Sequence, residues 1–250
     1  MTDVLPGCEP YSADGGPDGV LVLHGFTGNP SSMRPLAERL AGDGFSVELP
    51  RWPGHGTTIE DCLTTDWSDW SGASLAAYDA LAARCAKVAV VGLSVGGGVT
   101  ALIAQERSPV ACVFINAMIK PPAPELVDLV DQVMADGTLT FATGNGQDVK
   151  KEGVVENAYA EWPLPCLKSL FESLPAVGAR LGEIAAPSLV ITSREDHTVT
   201  PDNSEEIVAA LAGPVEHVWL DDSYHVATID NDQALVEDLT SAFLQRAFAR

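Results

Sequence analysis

Apolar and polar positions alternate along this chain in two rhythms, short continuous apolar runs and longer stretches of helical spacing. Residues 20–23 (VLVL) are wholly apolar and end at His24-Gly25, as expected for a strand buried on both faces of a parallel sheet. Residues 33–41 follow with Met33, Leu36, Ala37 and Leu40 at helical spacing; Ser31 or Ser32 is placed to cap this helix, and Gly42 to Gly44 to stop it. Residues 45–49 read as the next strand, 66–83 as a long Ala-rich helix, and 87–93 (KVAVVGL) as the most strongly apolar strand. A helix at 94–106, strands at 110–116, 187–193 and 215–220, and helices at 201–211 and 232–249 continue the alternation. This order predicts an α/β fold, a mostly parallel sheet flanked by helices.

One interval breaks the rhythm. From Asn116 to Pro187 the chain far exceeds the roughly a dozen residues that a crossover between parallel strands needs. Pro121, Pro122 and Pro124 open this interval, residues 125–134 carry apolar side chains at 126, 127, 129, 130, 133 and 134, and Gly144-Asn145-Gly146 interrupts it. The expectation is a small cap, or lid, at residues 119–170, inserted into a core made of 1–118 and 171–250. No internal repeat is evident.

Composition narrows the class. The chain has 250 residues, 46% of them hydrophobic and 20% charged, which suits one or two globular domains with a large core. Thirty-five acidic against 14 basic residues give a formal charge of −21 and an isoelectric point near 4.3. Such a field repels phosphate backbones and anionic head groups, so nucleic acid is not an expected partner, and the charge itself serves solubility. No apolar run is long enough to span a membrane, and residues 1–10 hold two acids and no base, unlike a secretory leader, so the expected compartment is the cytoplasm. Five widely spaced cysteines without a C-x-x-C pair read as reduced, mostly buried thiols, and no metal-ligand spacing is present, so no cofactor is expected.

The residues that carry chemistry stand where strands end. Gly92-Leu93-Ser94-Val95-Gly96 follows the most apolar strand and opens a helix. A serine on such a turn is lifted above the sheet edge, with a helix N-terminus beneath it. A serine hydroxyl is a poor nucleophile at neutral pH and needs a base within hydrogen-bond reach, held in its tautomer by a carboxylate. Of the five histidines, His225 lies in the loop after the last expected strand, whereas His217 falls within that strand and His197 beside Asp196 reads as an exposed side chain. Asp196, just past the strand ending at Ser193, is the favoured carboxylate; Glu195 and Asp202 compete, Asp202 being suited to the first turn of the helix behind Pro201. The chain order Ser94, Asp196, His225 is that of an α/β-hydrolase. Attack by Ser94 on a carbonyl also needs two N–H donors for the oxyanion, one offered by Val95 at the helix head and the other by Phe26 in the Gly-rich turn His24-Gly25-Phe26-Thr27-Gly28.

HGFTGNPSSMRPLAE, PGHGT at 53–57, GLSVGG and SYHVATID at 223–230 together resemble the small bacterial carboxylesterases and monoacylglycerol lipases over nearly the whole chain. The resemblance implies an α/β-hydrolase fold whose cap is inserted after the sixth strand. It implies a triad of Ser94, Asp196 and His225, with oxyanion amides from Phe26 and Val95. His24 and His55 also match family positions and read as loop-shaping residues. The family's cap glutamate, which meets the glycerol end of the substrate, falls at Glu156 in Glu156-Asn157-Ala158-Tyr159; a solvated helix charge is the competing reading, since Asn157 departs from the family's E-L-A-Y. Three glycines in a row, Gly96 to Gly98, and the Pro-rich entry to the cap also depart from the family pattern.

The expected activity is serine ester hydrolysis of monoacylglycerols or similar short-to-medium-chain carboxylic esters through an acyl-enzyme. A general carboxylesterase without glycerol recognition, a carbon-carbon hydrolase, a perhydrolase, and a ligand sensor that retains the triad are the alternatives, because fold alone does not set function. The expected partner is a small lipid or ester molecule, with no transmembrane segment and at most transient membrane contact through the cap.

Overall fold

A computed structural model describes residues 3–121, 123–137, 139–144 and 147–250. In chain order the elements are β1 (Tyr11–Ala13), β2 (Asp18–Leu23), α1 (Arg34–Gly42), β3 (Ser46–Leu49), α2 (Ile59–Cys62), α3 (Trp67–Ala82), β4 (Lys87–Leu93), α4 (Val95–Glu106) and β5 (Cys112–Ile115). They continue with α5 (Pro124–Asp136), β6 (Phe141–Thr143), β7 (Glu161–Pro163), α6 (Leu164–Gly178), β8 (Ser188–Ser193), α7 (Asp202–Ala210), β9 (Val215–Leu220) and α8 (Gln233–Phe248).

Among the described residues a seven-stranded sheet runs in the order β1-β3-β2-β4-β5-β8-β9, every pair parallel except β1 with β3. Alternation along the central strands explains why their sequences are apolar throughout. Val20, Val22, Ala89, Val91, Val113 and Ile115 face one layer with α1 and α8, while Leu21, Leu23, Val88, Val90, Cys112 and Phe114 face the other with α3, α4 and α6. In register, Leu23 lies beside Gly92, Leu93 beside Ile115, and Ile115 beside Ile191. The segments that begin at His24, Ser94, Asn116 and Arg194 therefore all leave the same edge of the sheet, its C-terminal one, where open α/β sheets place their sites.

Three details differ from the sequence expectation. First, neither Ser31 nor Ser32 caps α1. The Asn29 side chain accepts from the Ser31 N–H to cap a short turn at Pro30–Ser32, and α1 starts behind Met33 with no side-chain cap. Second, the insertion follows the fifth strand, not the sixth. Only β1 precedes the buried strand β2, and β1 is a three-residue antiparallel edge strand too short to show a period-two pattern. Third, α6 runs through residue 170 without interruption, burying Leu167, Leu170, Phe171 and Leu174. Pro165 sits in its first turn, where its missing N–H costs nothing, and Pro175 lies within it.

Between β5 and β8 stand α5, the β6–β7 hairpin and α6. Only Val130 of α5 is fully buried, and Leu129 is 52% exposed. Pro122 and, in the expected break at Gly144-Asn145-Gly146, Asn145 and Gly146 lie outside the described residues. Among the described residues no helix is long and apolar enough to cross a membrane.

Candidate active site

Ser94 occupies the sharp turn between β4 and α4 with φ 56° and ψ −123°, a backbone conformation rarely adopted by residues with a side chain. The surrounding contacts hold it there. A Cβ at Gly92 would come within 2.1 Å of the Gly96 carbonyl, and one at Gly96 within 2.6 Å of the His24 carbonyl. The same packing accounts for the second and third glycines of the helix start, Gly97 and Gly98. A Cβ at Gly97 would meet the Ala117 side chain at 2.2 Å, and one at Gly98 the Met118 carbonyl at 2.6 Å, because the chain leaving β5 lies directly against α4. The Ser94 N–H donates to the Ile115 carbonyl and the Met118 N–H to the Ser94 carbonyl, both at 2.9 Å.

His225 and Asp196 form a buried pair, with His225 Nδ1 2.8 Å from Asp196 Oδ2. The other carboxylate oxygen accepts the N–H groups of Thr198 at 2.9 Å and Val199 at 2.7 Å, so the acid is held from its own loop. Glu195 instead forms an exposed ion pair with Lys150, and Asp202 one with Lys120. Burial pushes the His225 imidazole down, but Asp196 outweighs it, helped by Glu156 and Asp148, and the net shift is upward. With Nδ1 turned to the carboxylate, Nε2 is the nitrogen left for proton transfer.

The turn after β2 brings Gly25, Phe26 and Thr27 to the same cavity as Ser94, Val95 and His225. A Cβ at Gly25 would lie 3.1 Å from Ser94 Cβ, so this turn packs against the serine. Val95 is the first residue of α4, and its N–H has no acceptor within the helix. The Phe26 ring packs on Trp70 and His55 with centroids 5.3 and 6.0 Å apart. His24 and His55 shape these loops: His24 Nε2 accepts the Trp52 N–H at 3.2 Å, and His55 Nδ1 meets the Pro53 carbonyl at 3.0 Å. Burial lowers both imidazoles, His55 to about 4, so each is neutral near pH 7.

The segment between β5 and β8 closes the other side of a cavity of about 370 Å³. Leu126, Trp162, Leu167, Leu170 and Phe171 give it an apolar wall, while Glu156, Asp148 and His197 give a polar one. Glu156 stands over the Phe26 turn, since a Cβ at Gly28 would lie 3.2 Å from Glu156 Oε1. Its neighbours anchor it there. Asn29 Nδ2 donates to the Asn157 carbonyl, the Tyr159 N–H to the Thr27 carbonyl at 3.1 Å, and the Tyr159 hydroxyl to the Gly54 carbonyl at 2.8 Å. Burial raises the Glu156 carboxyl above the usual carboxylate range.

Three residues at this edge have roles that the sequence did not disclose. Asn116 is buried, with φ 43°; its Nδ2 donates to the His225 carbonyl at 2.7 Å and its Oδ1 accepts the Ser193 N–H at 2.7 Å. It thus ties the end of β8 to the histidine loop. Asn is one of the few side chains that tolerate this backbone region, so an Asn directly behind an apolar strand was the signal available. His197, expected to be merely exposed, lines the cavity with Nδ1 2.7 Å from Asp148 Oδ1. Asp148 lies in the irregular stretch after the glycines and carries no local signal at all. His217 faces away from this site, with Nε2 2.9 Å from Thr192 Oγ1. Among the described residues no group of three or more His, Cys, Asp or Glu side chains is arranged to hold a metal ion.

Comparison with known proteins places this geometry in context. The sequence pattern of the alpha/beta hydrolase family matches residues 20–238. The thermostable monoacylglycerol lipase of Bacillus sp. (strain H-257) is 40% identical over 247 residues, covering 97% of this chain and 96% of that protein. The carboxylesterase of Bacillus subtilis (strain 168) is 27% identical over 244 residues, 95% and 96% of the two chains. A solved structure from the metagenome-derived lipolytic enzymes LipS and LipT superposes with a TM-score of 0.92 at 39% identity, covering 98% of this chain and all of that one.

Proposed function

The chain belongs to the alpha/beta hydrolase family, and from that premise we propose that it is a serine hydrolase cleaving monoacylglycerols of short-to-medium acyl chain to fatty acid and glycerol. One observation carries the reading. A serine held on a strained strand-to-helix turn shares a cavity with a histidine paired to a buried aspartate, and the walls of that cavity are apolar on one side and acidic on the other.

In this reading the Ser94 hydroxyl attacks the ester carbonyl while His225 Nε2 takes its proton. Asp196 remains ionised and stabilises the imidazolium. The N–H groups of Phe26 and Val95 hold the tetrahedral oxyanion. Collapse breaks the bond to the alcohol, which leaves with the proton from His225, and a water deprotonated by the same imidazole then releases the acid from Ser94. Leu167, Leu170 and Phe171 suit an acyl chain, and Glu156 suits the glycerol hydroxyls. Residues 119–170 act as the cap over this cavity. The five free cysteines suit a reducing, cytoplasmic site of action.

The test is kcat/KM for a medium-chain monoacylglycerol beside the methyl ester and the triacylglycerol of the same acid, with Ser94→Ala as blank. Preference for the monoacylglycerol is the expected result. Equal rates on the monoacylglycerol and the methyl ester would make the protein a general carboxylesterase, and no turnover of any ester would overturn the reading.

A further inference from the structure

We propose that Asp148, borne by the segment between β5 and β8, is a positioning residue for His225, so that the seating of the cap is felt by the triad. The proposal rests on His225 being the general base. Asp148 is 8% exposed, and its Oδ2 accepts the N–H of His225 at 3.3 Å and that of His197 at 2.9 Å. The Thr198 hydroxyl also faces Oδ2, at 3.4 Å, and His197 Nδ1 faces Oδ1 at 2.7 Å. His197 and Thr198 directly follow Asp196, so one carboxylate touches both the loop that carries the acid and the loop that carries the base.

The backbone reinforces the junction. The Asp148 carbonyl accepts the Val226 N–H at 3.1 Å. Two and three residues on, the N–H groups of Lys150 and Lys151 both donate to the Asp230 carboxylate at 2.8 Å, which also accepts the Tyr224 N–H at 2.9 Å. On its other side the His225 carbonyl is held by Asn116 at 2.7 Å. The peptide flanking the base is thus fixed from opposite directions, its N–H by the cap and its C=O by the sheet edge.

Removing the Asp148 carboxylate strands buried N–H donors and frees the histidine loop to move. Displacement of a catalytic group by an ångström costs about 100-fold in rate. The groups facing His225 are Asp196 from the acid loop and Asp148 and Glu156 from the cap, with His197 bound to Asp148 between them; all three carboxylates favour the imidazolium.

The experiment compares Asp148→Asn and Asp148→Ala with wild type on p-nitrophenyl acetate across pH, and follows phosphonylation of Ser94 by a fluorophosphonate. Asp148→Asn keeps an acceptor for the two backbone N–H groups and loses the charge. Its kcat should stay within about 3-fold while the acid limb of kcat/KM moves to lower pH. Asp148→Ala should lower kcat by about 10–100-fold at little change in KM, slow phosphonylation in parallel and shift the low-field His225 Nδ1–H resonance. An unmoved acid limb in Asp148→Asn together with full kcat in Asp148→Ala would overturn the proposal, as would a change in KM alone. Should Asp148→Ala not fold, the acid limb of Asp148→Asn decides. A wild-type protein inert to the fluorophosphonate would instead overturn the serine hydrolase reading on which the proposal rests.

Discussion

The sheet edge and the segment between β5 and β8, proposed above as the cap, face the same cavity, yet they are built on opposite terms. At the edge, every residue of β4 after Lys87 is buried, and Ser94 sits where four glycines let backbone meet backbone. In that segment α5 fully buries only Val130 and leaves Leu129 half in solvent. Close packing fixes atoms to within the tolerance that bond cleavage requires, whereas a loosely seated wall can accept ligands of different shape. We read the edge as the part that cleaves and the cap as the part that chooses.

The sharpest way to break this division is at the serine. Ser94→Ala should lower ester turnover by about 10⁴-fold or more with an unchanged circular dichroism spectrum, and an active, folded variant would end the account. Stability should divide the two regions next. Phe114→Ala, in the buried centre of β5, should cost about 3–5 kcal/mol in urea denaturation, while Leu129→Ala on the cap should change stability by less than about 0.5 kcal/mol. Equal costs would mean the cap is packed as tightly as the sheet.

A smaller effect is expected at Asn116. Asn116→Ala removes the bonds to Ser193 and His225 and should lower kcat by about 10–100-fold on a small ester, with KM nearly unchanged. Smallest is the pH response. If His225 is the general base proposed above, activity requires its neutral form; its carboxylate neighbours raise its affinity for a proton, so kcat/KM should fall as pH drops through a value above the 6.5 of an ordinary histidine. Glu156→Gln removes one of those charges and should move that limb to lower pH.

The same contrast explains what the sequence made legible. β4 could be placed to the residue and α4 to within one, because strand, elbow and helix are written in consecutive positions: an apolar run, small residues around Ser94, then helical spacing. Ser94, Asp196 and His225 follow the strands β4, β8 and β9, so reading the strands also located them. Asp148 and Asn116 act through partners far away in sequence, on the histidine loop about 80 and 110 residues on; an Asn directly behind an apolar strand hints at one of them, and nothing beside Asp148 announces the other. Helix α6 is hard to read in the sequence although Leu167, Leu170, Phe171 and Leu174 have helical spacing, because its prolines resemble punctuation. The capping role of Asn29, rather than of Ser31 or Ser32, was hidden for a related reason: a single turn at Pro30–Ser32 comes before the helix.

The measurement that bears most directly on the division of labour is the effect of Glu156→Ala on two substrates of one acid, a medium-chain monoacylglycerol and its methyl ester. If the edge cleaves and the cap chooses, kcat/KM should fall by about 10-fold or more on the monoacylglycerol and stay within about 2-fold on the methyl ester, because only one of them has glycerol hydroxyls to meet Glu156. Equal losses on both would contradict the account and place Glu156 in the machinery that breaks the bond.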